Sequence, residues 1–521
     1  MTGASPVLAA RLPPFTRLRA ALFAGLLLVT AFVWAPVLRN GFVWDDGGNL
    51  IGTAAQRGLS PRGIAWAFTT FQAGHYQPLT FVSYAVDDLV NGGTPAGVHA
   101  TNLMLHLLAI VLVALLAERL LKRAGEKSMG LRTFAAFVSA AIFALHPIHV
   151  ESVAWATERR DLLSAVLLLG ATLAWLPAEP GPPRRLRASA LFLAALLCKA
   201  QVGFPIALLA LDVWPLRRKR TDALPALIEK LPLFLLSGLF SVTAFLAQRS
   251  AGALTSVAEQ PVLSRISQAA YGLVYYVVAH GFTSFSPLHE RPVPLNALEP
   301  LFVLAALTVA FAVGALVLLR RRLPAGLAAF IAFAGILLPV LGFVQSGVQL
   351  VADRYAYLAG VPLCLLAGSG VALAWARLRS PGARLAAGAL LAALLGVWSV
   401  ATRAQIAVWH DDETLWRRVL ARAPSALAAN NLGNILLARG DVKEGVLWLK
   451  NSLDVVPTYH RPWRPLAFAL SAHAESLSPL FCRDLAFTLR RAAATRPSSA
   501  LARDVVLSAE TLARPALRSS R

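Results

Sequence analysis

Charge is scarce in this chain of 521 residues: Asp, Glu, Lys and Arg make up only 15%, and acids are the scarcer sign, 27 against 49 bases. Soluble domains carry about a quarter charged residues and fewer apolar ones. The 57% hydrophobic content therefore excludes an ordinary water-soluble protein and indicates a polytopic membrane protein. Cysteine is also rare. Cys198, Cys364 and Cys482 are too few and too scattered for a disulfide framework or a zinc motif. The formal charge of +22 would suit a nucleic-acid partner, but the basic residues fall in short clusters between apolar runs. That is the pattern of topology signals and anionic-lipid contacts, so the bilayer is the expected partner and nucleic acid is not. No small-residue cleavage site follows Arg11, Arg17, Arg19 and the apolar stretch from Ala20 to Leu38, which reads as an uncleaved first span.

Stretches long enough to cross a bilayer, roughly 17–25 residues, lie near 19–38, 99–121, 132–149, 161–177, 226–247, 298–319, 325–344, 357–376 and 385–402. The region 188–214 is interrupted by Lys199, Gln201 and Pro205. It is flanked by Arg184, Arg185 and Arg187 on one side and Arg217, Arg218, Lys219 and Arg220 on the other. With both clusters cytoplasmic, two short helices must meet near Lys199, which gives about eleven spans, an inside N-terminus and an outside C-terminal region. The stretch 262–283, with Tyr271, Tyr275 and Tyr276, reads as an amphipathic or re-entrant helix at the outer interface.

From about residue 404 the composition becomes polar and helical. Asn430-Asn431-Leu432-Gly433-Asn434, then Gly440, Gly445, Leu449 and Leu453, with Pro424 and Pro457 spaced 33 positions apart, fit one tetratricopeptide helix pair. One repeat cannot bury its own face, so the segments 404–423 and 462–515 are expected to complete an α-solenoid. The expected architecture is all-α: a membrane helical bundle over residues 1–403 and an extracytoplasmic tetratricopeptide-like domain over 404–521. The concave face of that domain is expected to take an acceptor peptide or a partner protein.

Unusual polar groups concentrate in the expected outer loops. Asp45 and Asp46 follow the first span, where a carboxylate is costly unless solvated, paired or used. His75, Asp87 and Asp88 follow in the same loop; His146, His149, Glu151, Glu158, Arg159, Arg160 and Asp161 occupy the next, and Asp353 and Arg354 precede a later span. Each has a plainer reading. The acidic doublet can cap a juxtamembrane helix. His146 and His149 lack a third metal ligand at a suitable spacing. Asp353 and Arg354 can form a structural ion pair, and Asp87 and Asp88 read as solvated surface. Lys199 needs a partner between its apolar helices. Taken together, the groups suggest one site on the outer leaflet, with carboxylates for proton abstraction and cations for a phosphate. Long spans can bury a polyprenyl tail at about 0.8 kcal/mol per methylene. The residues specify no cofactor and leave a divalent-metal requirement open. A transporter or flippase of a lipid-linked molecule, and a non-enzymatic scaffold using its repeat domain, are the rival readings.

Several motifs occur in order: Phe42-Val43-Trp44-Asp45-Asp46, Tyr76-Gln77-Pro78-Leu79, His99-Ala100-Thr101-Asn102, His146-Pro147-Ile148-His149-Val150-Glu151, Arg159-Arg160-Asp161-Leu162-Leu163-Ser164, Cys198-Lys199-Ala200-Gln201, Leu211-Asp212-Val213-Trp214-Pro215 and Ala352-Asp353-Arg354-Tyr355-Ala356-Tyr357. As a set they resemble the transmembrane and tetratricopeptide-repeat O-mannosyltransferases and their bacterial relatives, of the C-type glycosyltransferase fold. The resemblance implies an inverting membrane glycosyltransferase. It would move a sugar, mannose in the named family, from a polyprenyl-phosphate donor to a protein or glycan hydroxyl on the lumenal or periplasmic face. It implies that Asp45 or Asp46 is the general base, and by position Arg354, Lys199 and Arg159 are candidates for the donor phosphate. His75, Glu151, His149 and Asp353 are further site candidates. The stretch from Tyr275 to Pro287 lacks the tryptophan-proline pair of bacterial relatives, and only one repeat is well formed. The Ala- and Arg-rich composition suggests a bacterial inner membrane, with the N-terminus cytoplasmic and the repeat domain periplasmic.

Overall fold

The computed structural model describes residues 14–51, 58–177, 184–281, 285–292, 294–344, 347–495 and 500–518; Arg11 of the first basic cluster lies outside them. Nearly every apolar run becomes a helix, as a buried backbone without water requires. Strand is limited, among the described residues, to His289–Glu290 and Gln349–Val351. The chain divides into two units. One comprises Met1–Asn40, Asp45–Phe285 and Arg291–Ala407; the other comprises Gly41–Trp44, Ser286–Glu290 and Val408–Arg521. The helix Pro381–Val408 runs unbroken past residue 403, so the second unit begins a turn later than the composition change.

In the first unit five described helices are long and apolar enough to cross a membrane: Arg17–Arg39, Pro95–Arg123, Ala223–Ser250, Pro300–Leu318 and Pro381–Val408. Two bent pairs, Met129–Leu145 with Pro147–Ala154 and Asp353–Ala359 with Val361–Arg377, raise the number to seven if each is one span. The other expected crossings are shorter helices, Arg159–Trp175, Arg185–Cys198, Phe204–Val213 and Pro324–Leu337. Pro95–Arg123 lies at the centre, with half of its apolar window buried against 11% for Pro300–Leu318 and for Pro381–Val408. Its start is set by the Thr94 side chain, which accepts from Gly97 N, and by Pro95 at the first turn; Lys122 and Arg123 end it, where cations complement the carbonyl end of the helix.

Arg185–Cys198 and Phe204–Val213 form the expected pair of half-length helices, with Lys199 in the turn between them. The turn is pressed against the helix Pro324–Leu337. A Cβ added to Gly203 would lie 1.8 Å from Gly335 O, and one added to Gly335 would lie 2.6 Å from Ile206 Cγ2. Only two residues without side chains allow that approach. The ambiguous stretch forms an amphipathic helix, Val262–Ala279, which is not among the helices fit to span. Its Arg265 is buried and bonds the carbonyls of Thr255, Ser256, Gln260 and Phe343 at 2.8–3.1 Å.

The second unit carries the repeat. Ala426–Arg439 starts at Ser425, whose side chain accepts from Ala428 N, and pairs with Val442–Val455. The two helices touch through glycines: a Cβ on Gly433 would sit 2.8 Å from Gly445 O, and one on Gly445 would sit 3.0 Å from Gly433 O. The helices Trp463–Ala472, Pro479–Ala494 and Ala500–Arg518 extend the same core through Leu449, Leu453, Leu466, Leu485 and Val505. They bury the face that one repeat leaves open.

Candidate active site

The centre of the first unit is built by a chain that repeatedly breaks its own helices. The span ending at Leu145 stops at His146-Pro147, and the His146 ring accepts from Ile148 N. The short turn Pro147–His149 and the helix Val150–Ala154 continue the chain at 54° to that span. Extended Trp155 then breaks that helix, the turn Ala156–Glu158 follows, and Arg159–Trp175 begins. Every residue from 146 to 162 is buried, so the polar groups of this segment must find partners within the protein. Asp353–Tyr355 and the Lys199 turn supply them.

Glu158, whose side chain has no exposure, is gripped by three cations. Arg160 donates from Nε at 3.1 Å, Arg354 Nε lies 3.4 Å away and Lys199 Nζ 3.6 Å away. Arg354 also pairs through Nη1 with Glu151, whose second oxygen accepts from Arg354 N at 3.0 Å. Lys199 pairs with Asp161, which accepts from Ser152 Oγ at 3.2 Å. The Arg354 guanidinium lies over the Trp155 and Tyr355 rings, 5.5 and 4.9 Å from their centroids, and Lys199 lies 5.7 Å from the centroid of the Tyr355 ring. The carboxylates lie deepest: Glu158, Glu151 and Asp161 are 0, 2 and 4% exposed, against 10, 10 and 16% for Arg160, Arg354 and Lys199. The acids thus lie deeper than the cations they pair with. Burial works against ionised Glu158, but Arg160, Lys199 and Arg354 outweigh it and hold the carboxyl well below the usual carboxylate range.

The acidic doublet docks on the same segment. Asp46 is fully buried, and its Oδ1 accepts from Thr157 N at 2.8 Å and Thr157 Oγ1 at 2.6 Å. The Tyr84 hydroxyl holds this turn from the other side by donating to Ala156 O and Thr157 O, at 2.9 and 3.2 Å. Asp45 is half-buried, and its Oδ1 is enclosed with no hydrogen-bond partner among the described residues. Burial raises the Asp45 carboxyl above its ordinary value; Arg160 opposes the shift, Glu158 adds to it, and a hydrogen bond with the Thr157 side chain and the charge of Arg354 oppose it. These couplings place Asp45 in the field of the ionic cluster.

The structure thus brings Asp45, Asp46, Glu151, Lys199 and Arg354 together. Asp353 joins them at the edge: it is buried, and its Oδ1 accepts from the Tyr275 hydroxyl at 2.5 Å. His75 is half-buried, with Nδ1 3.5 Å from Gln248 Nε2, and burial depresses its pKa with help from Arg160. His149 packs against Phe143 and Tyr357, with centroids 4.5 and 5.2 Å away, and neither ring nitrogen has a hydrogen-bond partner among the described residues. Among the described residues no group of three or more His, Cys, Asp or Glu is arranged to hold a metal ion.

Arg159 is not brought to the cluster. Its guanidinium, with no exposure, pairs with Asp87, donates to Asn102 Oδ1 at 2.8 Å and Val98 O at 2.7 Å, and lies over the Tyr84 ring. Asp87 is therefore a buried partner rather than solvated surface, and it also accepts from Thr101 Oγ1 at 2.7 Å. Arg160, one residue on and turned about 100° around the helix, holds the cluster position instead. The sequence pointed to Arg159 as a cluster residue, whereas the structure places Arg160 there, and the sequence carried no sign of Thr157.

No family model matches the chain, and no solved structure matches it. Among curated proteins, Protein O-mannosyl-transferase Tmtc1 of Drosophila melanogaster is 27% identical over 84% of this chain and 61% of its own length. Tmtc3 of the same fly is 32% identical over 25% of this chain and 16% of its own length. Human TMTC4 is 29% identical over 30% of this chain and 22% of its own length. The chain spans less than two thirds of the length of these relatives. Its curated relatives are thus the protein O-mannosyl-transferases, the family that the ordered motifs resemble.

Proposed function

We propose that this chain is a membrane glycosyltransferase that moves a sugar, mannose by its relatives' names, from a polyprenyl-phosphate donor to a hydroxyl of a protein or glycan. The observation that carries the reading is the layering of the cluster: the more exposed cations Arg160, Lys199 and Arg354 paired with deeper Glu151, Glu158 and Asp161, with an Asp45 oxygen that has no hydrogen-bond partner among the described residues in the same field. Arg354, Arg160 and Lys199 hold the donor phosphate. Arginine supplies planar paired donors and lysine a point charge. Asp45 is the base, since its carboxyl is raised towards useful proton affinity and Oδ1 has no other task. Asp46 is a positioning residue that ties the doublet to Thr157.

Asp45 takes the proton of the acceptor hydroxyl as its oxygen bonds to the anomeric carbon. The bond from that carbon to the phosphate oxygen breaks, and polyprenyl phosphate leaves with its new charge on the cations. A single displacement inverts the sugar carbon. The site faces the periplasm of a bacterial inner membrane, with the N-terminus cytoplasmic. The helical second unit is periplasmic and grips the acceptor or a partner in its concave face.

The test is mass spectrometry of glycosylated products in cells containing the wild-type chain, no chain, or Arg354→Ala at matched membrane abundance. Hexose-bearing products should be present with the wild type and lost in the other two. Identical product spectra in all three would overturn the reading.

A further inference from the structure

A second place for a ligand lies away from the ionic cluster. A cavity of about 410 Å3 is enclosed by the helices Pro95–Arg123, Arg159–Trp175, Phe204–Val213, Pro324–Leu337 and Val361–Arg377. Its wall is aliphatic and aromatic apart from Thr172 and Ser369, and Arg217 is the one charged residue on it. The walls run from the cluster ends of these helices to their far ends. Asp161 opens the helix that contributes Leu168 and Thr172, Lys199 precedes the helix that leads to Trp214, and Arg354 lies four residues before Leu358. From Val361 to Leu373 the wall follows about three turns of helix, roughly 18 Å. Arg217 therefore stands at the end of the cavity opposite the cluster.

Arg217 is held there deliberately by the local backbone. Its φ of 49° is left-handed, a conformation that residues with a Cβ disfavour. The bonds Leu216 N to Leu211 O at 3.0 Å and Arg218 N to Asp212 O at 2.9 Å close the turn on either side. The neighbouring cations are committed elsewhere: Arg218 to Glu229 at 2.6 Å and Asp212 at 3.2 Å, and Lys230 to Asp212 at 2.7 Å. Arg217 makes no such pair among the described residues. No carboxylate lines the cavity, and exposed Arg321 and Arg322 lie two to three residues before its wall residue Pro324. An apolar slot about as long as an acyl chain, opening beneath an unpaired guanidinium with a basic rim, is complementary to one class of molecule. We infer that this cavity holds one acyl chain of an anionic glycerophospholipid, with the head-group phosphate on Arg217. A donor lipid would instead need its phosphate at the other end. The inference stands independently of sugar transfer.

Native mass spectrometry of the delipidated full chain, titrated with dioleoyl-phosphatidylglycerol or dioleoyl-phosphatidylcholine, tests it. Phosphatidylglycerol should bind at least about fivefold more tightly, the contribution of one basic side chain near an anionic lipid. Arg217→Ala should erase that preference, Arg217→Lys should keep it, and Ala329→Phe, which fills the slot, should weaken both lipids. Should the filled variant fail to fold, phosphatidylglycerol brominated on its acyl chain gives a second measure: it should quench a tryptophan signal that Trp214→Phe removes. Equal binding of the two lipids, or a preference untouched by Arg217→Ala, would overturn the inference. So would displacement of phosphatidylglycerol by polyprenyl phosphate that depends on Arg354 and not on Arg217.

Discussion

Asp45→Asn keeps the shape of the side chain and removes its charge, so it separates catalysis from architecture. General-base catalysis contributes about 10²–10⁴-fold, which at 1.36 kcal/mol per decade is roughly 2.7–5.5 kcal/mol of barrier. The transfer rate should fall by that factor. Stability should fall only slightly, because burial, the largest influence, already opposes the Asp45 charge, Oδ1 has no hydrogen bond to lose, and the Thr157 side-chain bond that favours the charge is a lesser effect. Asp46→Asn should behave in the opposite way. Its Oδ1 accepts two hydrogen bonds from Thr157, and bonds to a charged group contribute about 1.5–3 kcal/mol each against less than half that for neutral ones. A loss of about 1–3 kcal/mol of stability is expected, with the folded fraction retaining more activity than Asp45→Asn. The assay is the initial rate of mannose transfer from polyprenyl-phosphate mannose in proteoliposomes, with thermal unfolding measured on the same preparations. Wild-type turnover by Asp45→Asn would refute the assignment, as would a rate lost only in proportion to unfolding.

With Asp45 as the proposed base, the acid limb of the kcat/KM profile should lie above the range of an exposed aspartate, since a base must be deprotonated and this carboxyl is raised. Arg160→Gln should move that limb further up, because Arg160 opposes the rise; a profile unmoved by this change would count against Asp45. Glu158, with a folded pKa below its unfolded one, contributes stability that is full above about pH 4.5 and is lost as pH falls through the folded value. Glu158→Gln should therefore flatten the acid side of the unfolding midpoint against pH. Arg159→Ala strands buried Asp87 and should cost about 3–5 kcal/mol, read as lost membrane abundance without a selective rise in KM for the donor. Gly433→Ala forces a methyl against Gly445 O and should cost about 1–3 kcal/mol, read as faster proteolysis of the second unit.

The helical bundle was legible because apolar length encodes buried helices directly, and the repeat because Gly433, Gly445 and the proline spacing report a close helix contact. The Lys199 turn was legible for the same reason, an ammonium interrupting an apolar run. What could not be read was direction. Arg159 and Arg160 are identical in type and adjacent in sequence, and only the three-dimensional placement of Asp87 and Glu158 sends one guanidinium inward and the other to the cluster. Asp45 and Asp46 posed the same problem: Asp46 Oδ1 accepts from Thr157, a residue with no sequence mark of its own. The second unit also draws on Gly41–Trp44 and Ser286–Glu290, segments too short to signal membership by composition.

The contact between Gly203 and Gly335 has a consequence for how such a chain can vary. The height of the Lys199 ammonium within its half-length helix pair is fixed by backbone resting on backbone, a distance that no rotamer can adjust. At Gly203 a smaller neighbouring side chain cannot compensate, because the added methyl would meet the Gly335 backbone, whereas at Gly335 it would meet the Ile206 side chain. A single methyl at either position would lift the turn and tilt one cation away from Glu158 and Asp161, while leaving every charged residue of the protein in place.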